Sequence, residues 1–230
     1  MRTRRAGKAA GAKLPRAFYD RSTLDVAHDL LGLVLVHNRG GVPTSGVIVE
    51  VEAYIGETDP ACHAAPGPTR RNEPLYGAPG HAYVYLNYGI HCLVNVVTEA
   101  RGSPAAVLIR ALDPLEGIDV MRRRRARAMK GRRALPNARA LPPHAICRGP
   151  GNLTMAMGIT LKENTLDLLG DRLYIEDRGI EIDAVVWGPR IGIRVATETP
   201  WRAWVAGNPA VSARRKSGSR EMSRATPRSG

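Results

Sequence analysis

The chain has 230 residues, a formal net charge of +13 and a hydrophobic content of 43%. This length favours one domain with a substantial buried core. No apolar run approaches the roughly 20 residues of a membrane span, and the basic N-terminus lacks the apolar segment of a signal peptide. The three cysteines are scattered, which argues against a disulfide framework or a metal site and fits a reducing cytoplasm.

The basic residues are concentrated in particular segments. Residues 1–17 carry six basic and no acidic side chains, and residues 121–148 carry ten basic and none acidic. Residues 18–120, in contrast, carry 6 basic and 12 acidic side chains. Such blocks fit a polyanion partner, because each phosphate that is neutralised releases counterions. A solubilising surface with disordered basic ends is the alternative, but for the internal block we favour nucleic acid.

The first predicted elements are a helix and a strand. Residues 1–14 have no periodicity, and we expect them to be disordered, followed by a single domain over 15–212. Apolar residues at helical spacing predict a helix with Ser22 as its N-cap and Gly32 at its end. A short buried strand is predicted over 33–37.

The next strand, over 46–54, carries two carboxylates. Its valines lie on one face, and Glu50, Glu52 and Tyr54 lie on the other, because side chains two residues apart point the same way. A face with two carboxylates and a tyrosine is not a core face, so we expect it to line a cleft or meet solvent. An exposed edge strand with scattered acidic residues is the alternative.

A long loop and an aromatic strand follow. The Pro- and Gly-rich loop over 56–80 contains His63, and a loop of this length is usually functional or disordered. The strand over 81–88 holds three of the seven tyrosines of the chain, with Tyr83 and Tyr85 on one face and Tyr88 on the other. We interpret Tyr83 as core packing.

The following strands carry two further polar residues. A strand over 90–97 contains Asn95, and an apolar strand over 105–112 contains Arg110. A lone arginine in an apolar strand needs an anionic partner, for which Glu52 and a substrate phosphate are the natural candidates.

The C-terminal half is predicted to mix helices and short strands. An arginine-rich helix is expected over 114–130, and a tight turn leads into a helix over 148–158, whose N-terminal amides could face an anion. Short strands are expected around Tyr174, Val185 and Val195. We expect residues 213–230 to form a disordered basic tail.

The absence of several known sequence motifs excludes some classes of enzyme. The chain has no P-loop, no dinucleotide-binding glycine motif and no HExxH sequence, and its five lysines are poorly placed for a buried Schiff base. What remains is a carboxylate, several aromatic side chains and a basic surface. These suit chemistry on a base extruded from a duplex and held by stacking. Glycosidic hydrolysis needs a base or an electrostatic stabiliser beside an oxocarbenium-like centre, a role suited to glutamate.

Five short motifs resemble the alkyladenine (3-methyladenine) DNA glycosylase family. They are ValGluAlaTyr at 51–54, His63 eleven residues after Glu52, and the runs at 83–95, 107–117 and 149–153. The likeness covers roughly residues 15–212, with departures from animal members at Ile90, His91 and the arginine-rich block 122–133. It implies a mixed α/β (α+β) single domain around a curved, mainly antiparallel sheet with flanking helices, and neither metal nor cofactor.

The resemblance also implies the catalytic residues. Glu52 matches the glutamate that deprotonates the attacking water, and Arg110 matches the arginine that helps to place that water and the target's phosphate. We interpret Glu50 as structural. An alkylated base that is already cationic needs little help to leave, so one carboxylate can suffice.

Residues that hold the DNA follow from the same resemblance. Tyr54, His63 and Tyr85 are expected to sandwich the flipped base, and Asn95 is expected to oppose the amino group of guanine. Tyr88 is expected to be wedged into the gap in the duplex. From the charge pattern we add tentative contacts to the DNA backbone by Arg122, Arg123 and Arg125.

Taken together, the sequence predicts a monofunctional DNA glycosylase of base excision repair. We expect it to be a cytoplasmic, nucleoid-associated monomer that removes alkylated or deaminated purines, of the 3-methyladenine and hypoxanthine type, from double-stranded DNA. A non-catalytic nucleic-acid-binding protein is the main alternative. A hydrolase of free nucleosides is a second one, against which the basic ends and the wedge tyrosine argue.

Overall fold

A computed structural model describes residues 11–128 and 141–212. The predictions of disorder at 1–10 and 213–230 lie outside these residues, as does most of the basic loop that follows the arginine-rich helix. Within the described ranges, no helix is long and apolar enough to cross a membrane.

An antiparallel sheet of nine strands runs through the described part of the chain. The strands are β1 (Ala12–Lys13), β2 (Val34–Arg39), β3 (Val42–Ile55), β4 (Ala82–Asn87), β5 (His91–Val97), β6 (Ala105–Glu116), β7 (Leu173–Asp177), β8 (Val185–Gly188) and β9 (Arg202–Val205). Their order is β1-β7-β2-β3-β6-β5-β4, while β9 pairs with the second half of β3 and with β8.

Short helices accompany the sheet. They are α1 (Arg16–Tyr19), α2 (Thr23–Leu30), α3 (Ile118–Ala128), α4 (Pro143–Ile146) and α5 (Pro150–Met157), with 3₁₀ turns at Glu73–Tyr76 and Leu161–Glu163. The predicted mixed α/β fold around a mainly antiparallel sheet is confirmed.

The sheet is covered on both faces in the region of β3 to β6. The valines of β3 join apolar residues of β4, β5 and β6 in the main core, against which α2 and α5 pack. Beneath the loop between β3 and β4, a smaller cluster packs Cys62, Leu75 and Tyr83 together, with Tyr54 and Tyr85 at its margin. This second face therefore lies next to the two predicted active-site strands.

Strand β3 lies in the interior of the sheet. It pairs with β2, β6 and β9, so the exposed-edge alternative is wrong. A side chain at Gly46 would have its Cβ 2.9 Å from that of Leu112, so only glycine permits this close approach to β6.

Three further predictions need correction. The expected disorder of 1–14 fails at its end, because β1 pairs with β7 and Leu14 is buried. The helix over 114–130 begins only at Ile118, since β6 runs on to Glu116 and Gly117, with a φ of +71°, ends the strand. The strand around Val195 does not form, and the chain between β8 and β9 is a loop that reaches the site.

Helix α2 matches its prediction with one difference. Ser22 occupies the N-cap position, but its side chain makes no capping hydrogen bond. Thr23 instead donates from its hydroxyl to Glu99 over 2.5 Å, which ties the first turn of the helix to the end of the β4–β5 hairpin.

Candidate active site

Four neighbouring strands place Glu52, Asn95 and Tyr83, together with the apolar Leu108, in one row across the sheet. Glu52 of β3 is opposite Leu108 of β6, which is opposite Asn95 of β5, which is opposite Tyr83 of β4. Directly opposed residues of antiparallel strands point to the same face. The row therefore brings together four elements that are far apart in the sequence, on the face away from the main core.

Glu52 is fully buried, and its carboxylate accepts three hydrogen bonds. Oε1 accepts from the backbone N–H of Ile191 over 2.7 Å. Oε2 accepts from the hydroxyl of Tyr54 over 2.9 Å and from Nη1 of Arg110 over 3.0 Å. Burial first, and then the charge of Glu52, raise the pKa of Tyr54 well above its usual value, so the tyrosine remains a donor.

Glu50 is equally buried, and of its partners it shares only Arg110 with Glu52 among the described residues. Its Oε1 accepts from Nε of Arg110 over 3.0 Å and from Nε of Arg202 over 2.7 Å, and its Oε2 accepts from the backbone N–H of Ser212 over 2.6 Å. Burial alone would raise the pKa of Glu50, but the charge of Arg110 and the hydrogen bonds lower it below its usual value. Glu50 is therefore an ionised carboxylate whose oxygens are occupied by the protein, as its structural interpretation requires.

Arg110 joins the two carboxylates. The pairing of β3 with β6 shifts on either side of Glu50, so that Ala111 is opposite Glu50, Ile109 is opposite Val51, and Arg110 itself has no direct partner. Its guanidinium lies between Glu50 and Glu52. Burial would lower the pKa of Arg110, but the two carboxylates outweigh burial and raise it. Arg110 therefore has two anionic partners, Glu50 and Glu52, as expected for an arginine in an apolar strand.

An aromatic cavity of ≈ 330 Å³ opens in front of this ion-pair network. Its walls include Tyr54, His63, Tyr85, Asn95 and Arg110, together with Tyr88 and residues 191–193 of the loop between β8 and β9. A cavity of this size is in the range of small-molecule sites. Glu52 does not line it directly and lies behind Tyr54, Arg110 and Ile191.

His63 and Tyr85 form one wall of the cavity. Their ring centroids are 4.4 Å apart with the planes at 68°, so no base can fit between them. Nδ1 of His63 is 2.9 Å from the hydroxyl of Tyr83, and burial first, then the charge of Arg71, lower the pKa of His63. His63 is therefore neutral at pH 7, and Tyr54 lines the same cavity.

Asn95 lies between Leu108 and Tyr83 in this row and is held by a hydrogen bond. It is 4% exposed, and its Nδ2 donates to the backbone carbonyl of Tyr83 over 3.0 Å. Tyr83 itself is 2% exposed and packs in the smaller cluster, in agreement with its interpretation as core.

Tyr88 protrudes from the tip of the β4–β5 hairpin and is 80% exposed. Tyr88 and Gly89 have φ values of +48° and +67°, and the N–H of Ile90 donates to the carbonyl of Asn87 over 2.9 Å. Positive φ at both central positions is typical of a type I′ turn, and for a tyrosine it is strained. An exposed aromatic side chain on a strained backbone is a common arrangement at functional sites.

The structure adds a buried ion pair that the sequence did not indicate. Asp59 and Arg190 are joined by two hydrogen bonds of 2.6 and 2.8 Å. The guanidinium of Arg190 lies between the rings of Tyr54 and Trp201, at 4.7 and 5.1 Å from their centroids. Arg190 thus supports one face of Tyr54 and precedes Ile191, whose amide binds Glu52. Asp59 and Arg190 are 131 positions apart in the sequence, so no local pattern connects them.

The arginines of α3 divide into buried and exposed ones. Arg125 is 4% exposed and donates to the carbonyl of Ile146 over 2.7 Å, so its tentative assignment to the DNA backbone is wrong. Arg122 is half-buried and donates to the carbonyl of Leu141 over 3.2 Å and to Asp119 over 3.3 Å. Arg123 alone of the three is exposed.

Comparison with known proteins gives a family for this chain. The model of the methylpurine-DNA glycosylase family matches residues 17–209. A protein of Methanocella arvoryzae named "Putative 3-methyladenine DNA glycosylase" is 47% identical over 205 residues, which cover 87% of this chain and 96% of its own. Proteins with the same name from Bradyrhizobium diazoefficiens and Clostridium acetobutylicum are 48% and 45% identical, covering 86% and 89% of this chain and 90% and 99% of their own.

These matches extend over the strands that build the site and over the loop that closes it. The resemblance seen in the sequence motifs is confirmed, and with it the class of enzyme, a hydrolase of the DNA N-glycosylase type. The chain belongs to the methylpurine-DNA glycosylase family.

Proposed function

We propose that this protein is a monofunctional DNA glycosylase of base excision repair. It flips alkylated or deaminated purines, of the 3-methyladenine and hypoxanthine type, out of double-stranded DNA and hydrolyses the N-glycosidic bond to leave an abasic site. The observation that carries the proposal is a buried glutamate, paired with Arg110, behind an aromatic cavity that has an exposed tyrosine at its mouth. The names of the relatives support 3-methyladenine as one substrate.

The hydrogen bonds of Glu52 leave one position for the attacking water. A carboxylate offers about four lone pairs, two on each oxygen. Oε2 already accepts from Tyr54 and Arg110, whereas, among the residues that the structure describes, Oε1 accepts only from the amide of Ile191. We place the water on the remaining lone pair of Oε1, beside Ile191, which also lines the cavity.

The reaction then needs one proton transfer to the protein. Glu52 accepts a proton from the water as the water oxygen forms a bond to C1′ of the sugar. The bond between C1′ and the base nitrogen breaks, and its electron pair leaves with the base. A 3-methyladenine base is cationic before cleavage and departs neutral, so it needs no acid. Hypoxanthine departs less readily, and we expect its release to be slower.

Recognition of the base depends on the two walls of the cavity. The base stacks between Tyr54 and the wall of His63 and Tyr85, since those two rings touch each other. Asn95 is fixed by the Tyr83 carbonyl, and it limits the space for a 2-amino group such as that of guanine. Tyr88 fills the gap that the flipped nucleotide leaves in the duplex.

The setting of the reaction is also a proposal. We expect a monomer that acts on nucleoid DNA in the cytoplasm. Cys62, Cys92 and Cys147 are free thiols, as expected for a protein that works under reducing conditions.

The experiment is release of free base from duplex DNA by the purified protein. Methylated duplex DNA and a duplex with one hypoxanthine are incubated with the enzyme, and the released bases and abasic sites are counted. The proposal predicts 3-methyladenine release, equal numbers of abasic sites, and no covalent adduct on addition of borohydride. Absence of base release from both substrates contradicts glycosylase action, and a trapped adduct contradicts the monofunctional mechanism.

A further inference from the structure

A second cavity lies on the other face of the β4–β5 hairpin. We call it the arginine groove, because Arg39, Arg124 and Arg127 line it together with Leu86, Ile90 and His91. Its volume is ≈ 330 Å³. Alternation along β4 explains its position, since Tyr85 and Asn87 line the aromatic cavity while Leu86 between them lines the groove.

The groove carries positive charge without a carboxylate. No aspartate or glutamate is among the described residues that line it. Burial first, and then the charges of Arg39 and Arg123, lower the pKa of Arg124, so the arginines repel one another. Such an accumulation of like charge costs stability and is relieved when an anion binds.

Part of this cluster has a structural role. Arg124 donates from Nη1 to the carbonyl of Met157 over 2.7 Å, and Arg39 donates from Nη1 to the carbonyl of Gly158 over 2.9 Å. These bonds satisfy carbonyls at the C-terminal end of α5. A guanidinium has five N–H donors, so each arginine retains donors for a ligand. Arg127 is exposed on α3, three residues after Arg124 and therefore on the same side of the helix.

The groove is continuous with the proposed wedge. Leu86 and Ile90 are 42% and 49% exposed and stand on either side of Tyr88. Proteins that enter the minor groove commonly insert apolar side chains between base steps and bind the flanking phosphates with arginine. Arginine is suited to this second task because its planar guanidinium can bind a phosphate through two parallel hydrogen bonds.

We propose that the arginine groove binds a backbone phosphate of the duplex on the side of Tyr88 away from the flipped base. The hairpin then lies between two parts of the substrate, with the damaged base on its aromatic face and the phosphate on its arginine face. This inference rests on the proposed function only in taking duplex DNA as the substrate. It replaces the tentative assignment of Arg125 and moves the DNA contact to Arg39, Arg124 and Arg127.

The test compares Arg127→Gln with the matched control Arg101→Gln. Arg101 is also exposed but lies beyond the far end of β5 from the hairpin tip. Affinity for a duplex of about 20–30 base pairs, roughly the length of a typical binding site, is measured over a series of salt concentrations. Both an undamaged and a lesion-containing duplex are used. Thermal unfolding of each variant shows that the fold is intact.

For Arg127→Gln, the slope of log K against log salt is expected to become shallower by about 0.9, the value for one lost phosphate contact. Affinity at low salt is expected to fall roughly fivefold or more, as for a lost charge-assisted hydrogen bond. Arg101→Gln is expected to behave as wild type. An unchanged slope for Arg127→Gln, or an equal change for Arg101→Gln, contradicts the proposal.

A set of uncharged backbone substitutions then locates the phosphate. Duplexes with a single methylphosphonate on either side of the lesion are bound to wild type and to Arg127→Gln. A methylphosphonate at one position is expected to weaken DNA binding by wild type but not by Arg127→Gln, because the variant has already lost the contact to that phosphate. Equal sensitivity of both proteins at every position contradicts the inference. If wild type released no base at all, the proposed function would fail, while these binding measurements would still report on the groove.

Discussion

Arg110 donates a hydrogen bond from Nη1 to Oε2 of Glu52 over 3.0 Å, where both side chains are almost entirely shielded from solvent. The same guanidinium binds Glu50 through Nε, also over 3.0 Å. One guanidinium therefore bridges two buried carboxylates of the same strand, and its charge helps to hold the pKa of Glu50 below its usual value, although burial alone would raise it. The proposed catalytic base, Glu52, is held in place by this ion pair and by hydrogen bonds from Tyr54 and Ile191.

Replacement of Arg110 tests this arrangement by its effect on stability. Arg110→Gln leaves two buried carboxylates without their shared partner, and breaking a buried pair in this way typically costs about 3–5 kcal/mol. Urea unfolding measures the change. The exposed Arg101→Gln serves as control and is expected to stay within about 0.5 kcal/mol of wild type. Equal effects of the two substitutions would show that the network contributes nothing to folding.

The ion pair of Asp59 with Arg190 gives a second stability prediction. Asp59→Asn leaves the guanidinium of Arg190 buried between Tyr54 and Trp201 with only a neutral partner, and the loss is expected to reach about 3 kcal/mol. Asp29→Asn removes a half-exposed partner of Arg21 and is expected to cost less than about 1 kcal/mol. Urea unfolding again provides the measurement. A cost for Asp59→Asn no larger than for Asp29→Asn contradicts the assignment.

Tyr88 is expected to matter for the substrate and not for the fold. Because its side chain is 80% exposed, Tyr88→Ala should leave the free energy of unfolding unchanged within about 0.5 kcal/mol. Single-turnover base release from duplex DNA should fall roughly tenfold or more, since an unfilled gap costs a few kcal/mol of stacking. A single-stranded substrate has no such gap and should be much less affected. An equal loss on both substrates would contradict the wedge role.

The protonation of His63 provides a pH-dependent prediction. Its pKa lies below the usual 6.5 because of burial and the charge of Arg71. The unfolded chain therefore binds the proton more readily, so this group reduces stability as the pH falls below about 6.5 and has no effect above it. Arg71→Gln should raise the pKa of His63, and Arg70→Gln, an exposed neighbour, should not. NMR titration of the histidine ring measures both values, and equal pKa values in the two variants contradict the assignment.

The sequence predicted much of the local structure of the site. Alternation along β3 placed Glu50, Glu52 and Tyr54 on one face, and the lone Arg110 in an apolar strand indicated an acidic partner. Such patterns are local, and the sheet preserves them. The burial of both glutamates was not predicted, because their partners Arg110, Arg202 and Ser212 arrive from other strands and from the end of the domain.

Two features of the site depend on tertiary contacts and were missed. The sequence predicts a strand around Val195, where the structure has a loop, and this prediction gives no hint of the amide of Ile191 or of the support of Tyr54 by Arg190. The arginine run of α3 looked uniform in the sequence. Helix geometry separates it, placing Arg125 inside the fold and Arg127 in the arginine groove.

We propose that Glu52 deprotonates the attacking water while Glu50 holds Arg110. Both glutamates are buried on one strand and share the same arginine, so Glu52→Gln and Glu50→Gln form a matched pair. The most direct measurement is single-turnover release of 3-methyladenine from methylated duplex DNA, at a temperature where both variants are folded. We predict that Glu52→Gln lowers the rate roughly 10²–10⁴-fold, the usual contribution of a general base, and that Glu50→Gln lowers it about tenfold or less. A Glu52→Gln variant as fast as wild type, or a Glu50→Gln variant equally slow, would contradict this account.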